Sequence, residues 1–209
     1  MNHRFNGPEV GLFLNGEIPP FLELKKEFYF YKKIFAVDGA YYYLKTFGIS
    51  VDYVIGDLDS IENNIYLKTH LLKTPDQRFT DFDKALNIIY KKGFFNINVW
   101  GGSGMEQDHF LGNLSAALKY KNKLSIIFHD KYHFYFFSEK KTSFYQKKNK
   151  KISLFPFPKV EELSTYGLKY SIKKGFLKIG KNIGIRNEAL SNEIKIDYKE
   201  GELLIFIEK

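Results

Sequence analysis

The sequence predicts two domains: an N-terminal α/β domain with a mostly parallel sheet over residues 1–130, and a C-terminal antiparallel β-sandwich over residues 131–209. Two observations carry this. Up to about Asp130, short apolar runs alternate with helical patterns and end on Asp, Asn or Gly, and repeated β–α–β order argues for a parallel sheet covered on both faces. Beyond it, short strand-like runs are separated by turn residues, with Gly167, Gly175, Gly180, Gly184 and Gly201 at loosely regular intervals.

The first half contains five strand-like runs: Val10–Leu14, Ile34–Val37, Tyr53–Ile55, Ile97–Trp100 and Leu124–Phe128. A helix is expected to run from a Thr80 cap to about Tyr90, with Asp83 in the capping-box position and Phe82, Ala85, Leu86 and Ile89 inward. A second begins near Asp108, itself a suitable N-cap, and places Leu111, Leu114, Ser115 and Leu118 on one face. This order suits a Rossmann-like sheet. In the second half the runs are Phe134–Phe137, Thr142–Gln146, Lys151–Phe155, Ser171–Ile172, Phe176–Ile179, Glu193–Asp197 and Leu203–Ile207. The lysine-rich stretch Lys147–Lys151 reads as a solvated hairpin turn.

Composition narrows the function classes. There is no cysteine, which excludes a disulfide framework, a thiolate nucleophile and cysteine-ligated metal. No apolar run approaches the ~20 residues that span a bilayer, and Met1–Phe5 does not read as a signal peptide, so a cytoplasmic protein without membrane contact is expected. The net charge of +8, with 21 Phe and 15 Tyr, raises nucleic-acid binding as a possibility. The lysines are scattered, however, and codon bias in an AT-rich genome explains the same composition. No nucleic-acid partner is expected.

Ligands of open α/β sheets bind outside the carboxyl ends of the strands. Here those ends carry Asp38-Gly39, then Gly56-Asp57-Leu58-Asp59-Ser60, then Gly101-Gly102-Ser103-Gly104. Glycine allows close approach of a ligand, and Asp supplies the hard oxygen that Mg²⁺ prefers. Asp57 and Asp59 are two apart, so in extended geometry both carboxylates face one side. Each Asp-Gly pair alone would be an ordinary turn former; three along one sheet edge favour a phosphate–metal site. A second cluster, Asp76 to Ala85, crosses from a loop into a helix start, where free N–H groups and the macrodipole attract phosphate. Capping accounts for Thr80 and Asp83 and leaves Gln77, Arg78 and Lys84 without a task. The third cluster joins the glycine-rich loop to Glu106, Asp108 and His109. The remaining histidines, His3, His70, His129 and His133, show no metal-ligand spacing.

The motifs in order resemble the thiamine pyrophosphokinases. Val37-Asp38-Gly39-Ala40 and the run from Gly48 to Ser60 are similar to that family's A-D-G-G-A-N and G-I-x-P-D-x-I-I-G-D-x-D-S elements. Asp76-Gln77 through Thr80-Asp81 to Lys84-Ala85 resembles D-Q-x-x-T-D-x-x-K-A, and the loop ending in Asp108-His109, with Asn113 beyond, resembles G-G-R-x-D-H-x-x-x-N. Ser153–Pro156, Gly167–Tyr170 and Gly184–Glu188 match S-L-x-P, G-L-x-Y and G-x-S-N-E. The resemblance implies an ATP- and Mg²⁺-binding first domain, a thiamine-binding second domain, and a homodimer with sites between subunits. It implies transfer of diphosphate from ATP to the hydroxyl of thiamine. On the same basis Asp57, Asp59 and Asp81 would hold Mg²⁺. Asp38, Gly39, Ser60, Gln77, Arg78, Thr80 and Lys84 would line the nucleotide site, and Asp108, His109, Arg186 and Asn187 would meet thiamine.

Three positions depart from the family pattern. Glu106 stands where an arginine is usual, Arg186 where a serine is usual, and the Asp38-Gly39 element continues as Ala40-Tyr41-Tyr42. Two of these touch expected substrate contacts. The alternative acceptor is therefore another hydroxymethyl heterocycle, such as 6-hydroxymethylpterin.

Overall fold

The computed structural model describes residues 3–7, 9–56 and 69–209. Contacts divide the chain into two compact units, residues 2–131 and residues 132–209.

The first unit contains β1 (Glu9–Phe13), α1 (Phe21–Glu27) with a 3₁₀ turn at Phe28–Phe30, β2 (Tyr31–Val37), α2 (Ala40–Thr46), β3 (Tyr53–Gly56) and β4 (His70–Lys73). α3 (Asp81–Lys91), β5 (Asn96–Trp100), α4 (Gln107–Tyr120) and β6 (Ser125–His129) follow. The strand order is β4-β3-β2-β1-β5-β6, and every pair is parallel. The chain builds outward from β1 to β4 and returns to β5 on the other side of β1. The order therefore reverses between β1 and β5, which is where an α/β sheet opens a crevice for ligands.

All five expected strands form, within one to three residues at their ends. β4, α1 and α2 were not legible: four and seven residues are too short to display a period, and three of the four β4 residues are exposed. α3 buries the expected Phe82, Ala85, Leu86 and Ile89, and the Thr80 side chain accepts the Asp83 N–H. α4 corrects the sequence reading. It buries Leu114, Ala116, Ala117 and Tyr120, while Leu111 is 59% exposed and Ser115 is exposed. Leu114 is inward as expected, and the buried face is turned from it toward Ala116, Ala117 and Tyr120. Glu106, and not Asp108, occupies the N-cap position, without a side-chain capping bond.

One face of the β5–β6 pair is polar and buried. Asn98 Oδ1 accepts from His3 Nε2 at 3.0 Å and from His129 Nε2 at 3.0 Å. His3 Nδ1 lies 2.9 Å from Ser125 Oγ, which also accepts the Arg4 N–H at 3.1 Å. Asn96 closes the network by bonding both to Phe5 N–H and to Phe5 carbonyl. Each group needs its partner because burial makes an unmet polar atom expensive. The N-terminal segment is thereby strapped across the sheet.

The second unit contains β7 (His133–Phe137), β8 (Lys141–Tyr145), β9 (Lys151–Tyr166), β10 (Gly175–Lys178), β11 (Gly184–Glu188), β12 (Glu193–Asp197) and β13 (Glu200–Glu208), with all pairs antiparallel. β9 is 16 residues long and belongs to both sheets. Up to Leu163 it lies between β13 and the short strands β10 and β11; from Ser164 to Tyr166 it pairs with β12, which pairs with β8. Ile152, Leu154, Val160, Leu163 and Ile205 thus share one core with Phe144, Ile194 and Ile196. This is a β-sandwich.

The expected strand at Lys151–Phe155 is only the first third of β9. The strand runs on through Pro156 and Pro158, although proline cannot donate to a ladder. Pro158 sits where β9 advances four positions while β13 advances two, a bulge in which the ladder does not require its N–H, and Pro156 is the register partner of Leu203 at the edge of that bulge. Ser171–Ile172 forms no strand; Ile172 instead bonds to the backbone and hydroxyl of Thr165. The Lys147–Lys151 stretch does turn, with Asn149 at φ +68°, but it joins β8 and β9, which do not pair, so it is not a hairpin.

Burial lowers the pKa of His3 to about 4. The imidazole is neutral in the fold, whereas the unfolded chain binds a proton below the ordinary value near 6.5. Stability from this group should therefore fall as pH drops from about 6.5 to 4, by roughly 1–3 kcal/mol in total. Urea unfolding of the native protein and His3→Gln at pH 7.5, 6 and 4.5 checks this. The variant should lose the part of the pH slope that lies in that window; parallel slopes would refute it.

Candidate active site

Past their last residues, β1 and β5 continue to pair. Leu14 N–H donates to Trp100 carbonyl at 2.8 Å, Gly16 N–H to Gly101 carbonyl at 3.0 Å and Glu17 N–H to Ser103 carbonyl at 2.8 Å. Gly101 has φ +68°, and a Cβ there would lie 2.3 Å from the Leu14 carbonyl oxygen. Only glycine combines that backbone conformation with that approach. The Asn113 amide on α4 donates to Gly102 carbonyl at 3.0 Å and fastens the glycine-rich loop to the helix that follows it.

At the end of β2, Asp38 adopts φ +43° and its N–H donates to Ile55 carbonyl at 3.0 Å. Its carboxylate lies directly over Gly56, where a Cβ would come 1.5 Å from Oδ1. The glycine ending β3 is thus the condition for the Asp38 side chain to lie where it does. Gly39 plays the same part for the Asn15 side chain.

The start of α3 brings in the second cluster. Asp81 pairs with Lys84 at 2.6 Å, and Lys84 Nζ also donates to Thr74 carbonyl at 2.8 Å. With its side chain 10% exposed, Lys84 stands behind Asp81 and outside the cavity lining, offsetting its charge. Arg78 Nη2 reaches Asp76 Oδ2 at 2.8 Å, and Arg78 Nε and N–H both bond to Asp76 Oδ1. These bonds from Arg78 hold the Asp76 carboxyl down to about 2. At the start of α4, Asp108 Oδ1 accepts the His109 N–H at 3.0 Å, and His109 Nε2 lies 3.6 Å from Glu106 Oε2. Both of the latter side chains are 75% exposed.

These loops enclose one cavity of about 650 Å³ at the strand-order reversal. Of the residues singled out in the sequence, Asp38, Gln77, Arg78, Thr80, Asp81, Asp108 and His109 line it, with Glu106 beside them. Gly39 and Lys84 support it from behind. Asp57, Asp59 and Ser60 lie outside the described residues. Asn15, Phe79 and Asn113 also line the cavity and were not assigned there from sequence. Asn15-Gly16 did mark a strand end, and Asn113 stood in a family motif. Phe79 carried no signal, since an aromatic before a helix cap reads as packing.

Arg186 and Asn187 belong to the second unit. The Asn187 amide holds backbone on both sides: Oδ1 accepts Tyr170 N–H at 3.0 Å and Glu188 N–H at 2.8 Å, and Nδ2 donates to Tyr170 carbonyl at 2.8 Å. It therefore sews the Gly167–Tyr170 turn to β11. Arg186, at φ +54° where the β11–β9 register slips, points to solvent. Such a bulge aims a side chain out of the sheet.

Comparison with known proteins places the chain in a family. The model of the thiamin pyrophosphokinase catalytic domain matches residues 24–128, and that of the thiamin pyrophosphokinase vitamin B1 binding domain matches residues 141–203. The thiamine pyrophosphokinase of Bacillus subtilis is 30% identical over 130 residues, a stretch that spans 60% of this chain and 61% of that relative. The crystal structure of the B. subtilis enzyme superposes with a TM-score of 0.83 at 23% identity, covering 96% of this chain and 99% of the other. That of Candida albicans gives 0.83 at 16% identity over 96% and 88%. At those identities the superpositions speak for the fold. With two family models matched in order along the sequence, the chain belongs to the thiamin pyrophosphokinase family.

Proposed function

We propose that this protein transfers diphosphate from ATP to the hydroxyl of thiamine and releases AMP. The observation that carries the reading is the single cavity in which the Thr80–Asp81 helix start, the glycine-rich loop and the Asp108–His109 turn meet. Family membership supports thiamine as acceptor.

In such a transfer the acceptor oxygen forms a bond to the β-phosphorus, the bond from that phosphorus to the α-phosphate oxygen breaks, and AMP departs. Little covalent work falls to the protein; positioning and charge dominate. The unpaired N–H groups at the start of α3 suit phosphate oxygens. The Asp108–His109 turn on the facing wall suits the acceptor. Bound Mg²⁺ would offset phosphate charge. Asp81 fits a place in its coordination, a hard oxygen on the cavity wall with its charge partly offset by Lys84. No group of three or more metal-binding side chains assembles among the described residues. Asp57 and Asp59 would complete the set. No described helix is long and apolar enough to cross a membrane. Homodimeric assembly belongs to the same reading.

Asp57→Asn, Asp59→Asn and Asp81→Asn should each lower AMP release by about 100-fold or more while circular dichroism stays native. Near-normal turnover at saturating Mg²⁺ would remove that residue from the metal role.

Glu106 offers a sharper test, because it sets a carboxylate beside the proposed phosphate path. Glu106→Arg should lower the KM for ATP severalfold, on the order of 1 kcal/mol for a partly exposed contact. A rise in acceptor KM with ATP unchanged would instead assign Glu106 to the acceptor. Sedimentation at assay concentration should show a dimer, and a fully active monomer would refute the assembly.

A further inference from the structure

Asp83 follows Asp81 by two residues and Lys119 follows Asn113 by six, and neither lines the cavity. Asp83 occupies the position from which an acid reaches back to a helix cap. Its carboxylate goes elsewhere: both oxygens accept from Lys119 Nζ, at 3.0 and 2.9 Å, and Tyr120 OH lies 3.4 Å from Oδ1. The same ammonium stands 4.7 Å from the centre of the Phe79 ring. Phe79 lines the cavity and immediately precedes Thr80, whose hydroxyl accepts the Asp83 N–H at 3.2 Å. One cation on α4 thus grips the start of α3 at two points, the carboxylate three residues inside the cap and the ring one residue before it. The Asp83 side chain is 16% exposed and that of Lys119 49%, so solvent screens the pair in part and its two bonds fix geometry more than they add stability. The bonds to Asp83 raise the pKa of Lys119, which keeps it charged.

We propose that Lys119 is a positioning residue: through Asp83 and Phe79 it fixes the first turn of α3 against α4, and so sets Thr80 and Asp81 relative to the Asp108–His109 turn. The consequence for turnover rests on the proposed reading of the cavity; the clamp itself does not. Small displacements of such groups cost more in rate than in stability.

The test uses the full chain with Lys119→Met, which keeps the apolar stem and removes the ammonium, and Lys119→Arg, which restores a cation. Met should quicken amide exchange at residues 79–83 severalfold and lower kcat/KM for ATP about threefold to tenfold, with the acceptor KM within twofold. Arg should restore both. A Met variant with a lower melting temperature but native exchange at 79–83 and native ATP kinetics would overturn the proposal. Equal losses toward both substrates without recovery in Arg would overturn it too. Should the native protein release no AMP, the proposed function fails, and the exchange measurement alone still decides whether the clamp exists.

Discussion

The hydrogen bonds that carry the β1–β5 pairing past the ends of both strands are the constraint on which the site depends. In most α/β sheets the two chains part where the strand order reverses, and the gap between them receives the ligand. Here Leu14 to Glu17 and Trp100 to Ser103 stay paired, so the gap is bridged by backbone. The cavity is displaced onto the side facing α3 and α4. That ladder needs Gly16 and Gly101, since a side chain at either would collide with the opposite carbonyl. Asn113 then ties the loop to α4, and the opposite wall can be placed at a fixed distance. A glycine-rich loop that would otherwise be mobile becomes an extension of the sheet.

The cavity carries more acid than free base. Asp38, Asp81, Glu106 and Asp108 lie on or beside its wall, while Arg78 is engaged by Asp76 and Lys84 by Asp81. On the proposed reading, attraction for a polyphosphate must come from the α3 N-terminus and a divalent cation more than from side-chain cations. The overall charge of +8 is not concentrated there. That distribution agrees with the scatter of lysines along the chain, and it separates the basic composition from the chemistry of the site.

In the second unit a comparable economy of means appears in β9, which forms hydrogen bonds in both sheets and so makes the sandwich with one strand. Asn187 links two segments that the sequence shows as separate motifs, with both acceptor positions of its amide oxygen and one of its two N–H groups engaged. Arg186 beside it is turned out by the bulge. The asparagine thus holds the turn in shape, while the arginine side chain is exposed.

The sequence by itself determined the two architectures, five of the six parallel strands, the Thr80 cap and the inward face of α3, because each rests on local periodicity or on hydrogen bonds within a few residues. It also determined which strand-end clusters were chemically charged. Tertiary structure decided what depends on distant partners. The buried face of α4 combines Leu114 with Ala116, Ala117 and Tyr120 and leaves Leu111 outside, a choice that helical spacing alone does not make. Pro158 is tolerated because β9 bulges there against β13. Asp83 leaves the helix cap for Lys119, 36 residues away. Phe79 becomes a cavity wall although only its polar neighbours Arg78 and Thr80, and not the ring itself, were marked in the sequence. Short elements such as β4 and α2 exist only because the sheet and core around them supply the free energy that four or seven residues cannot supply alone.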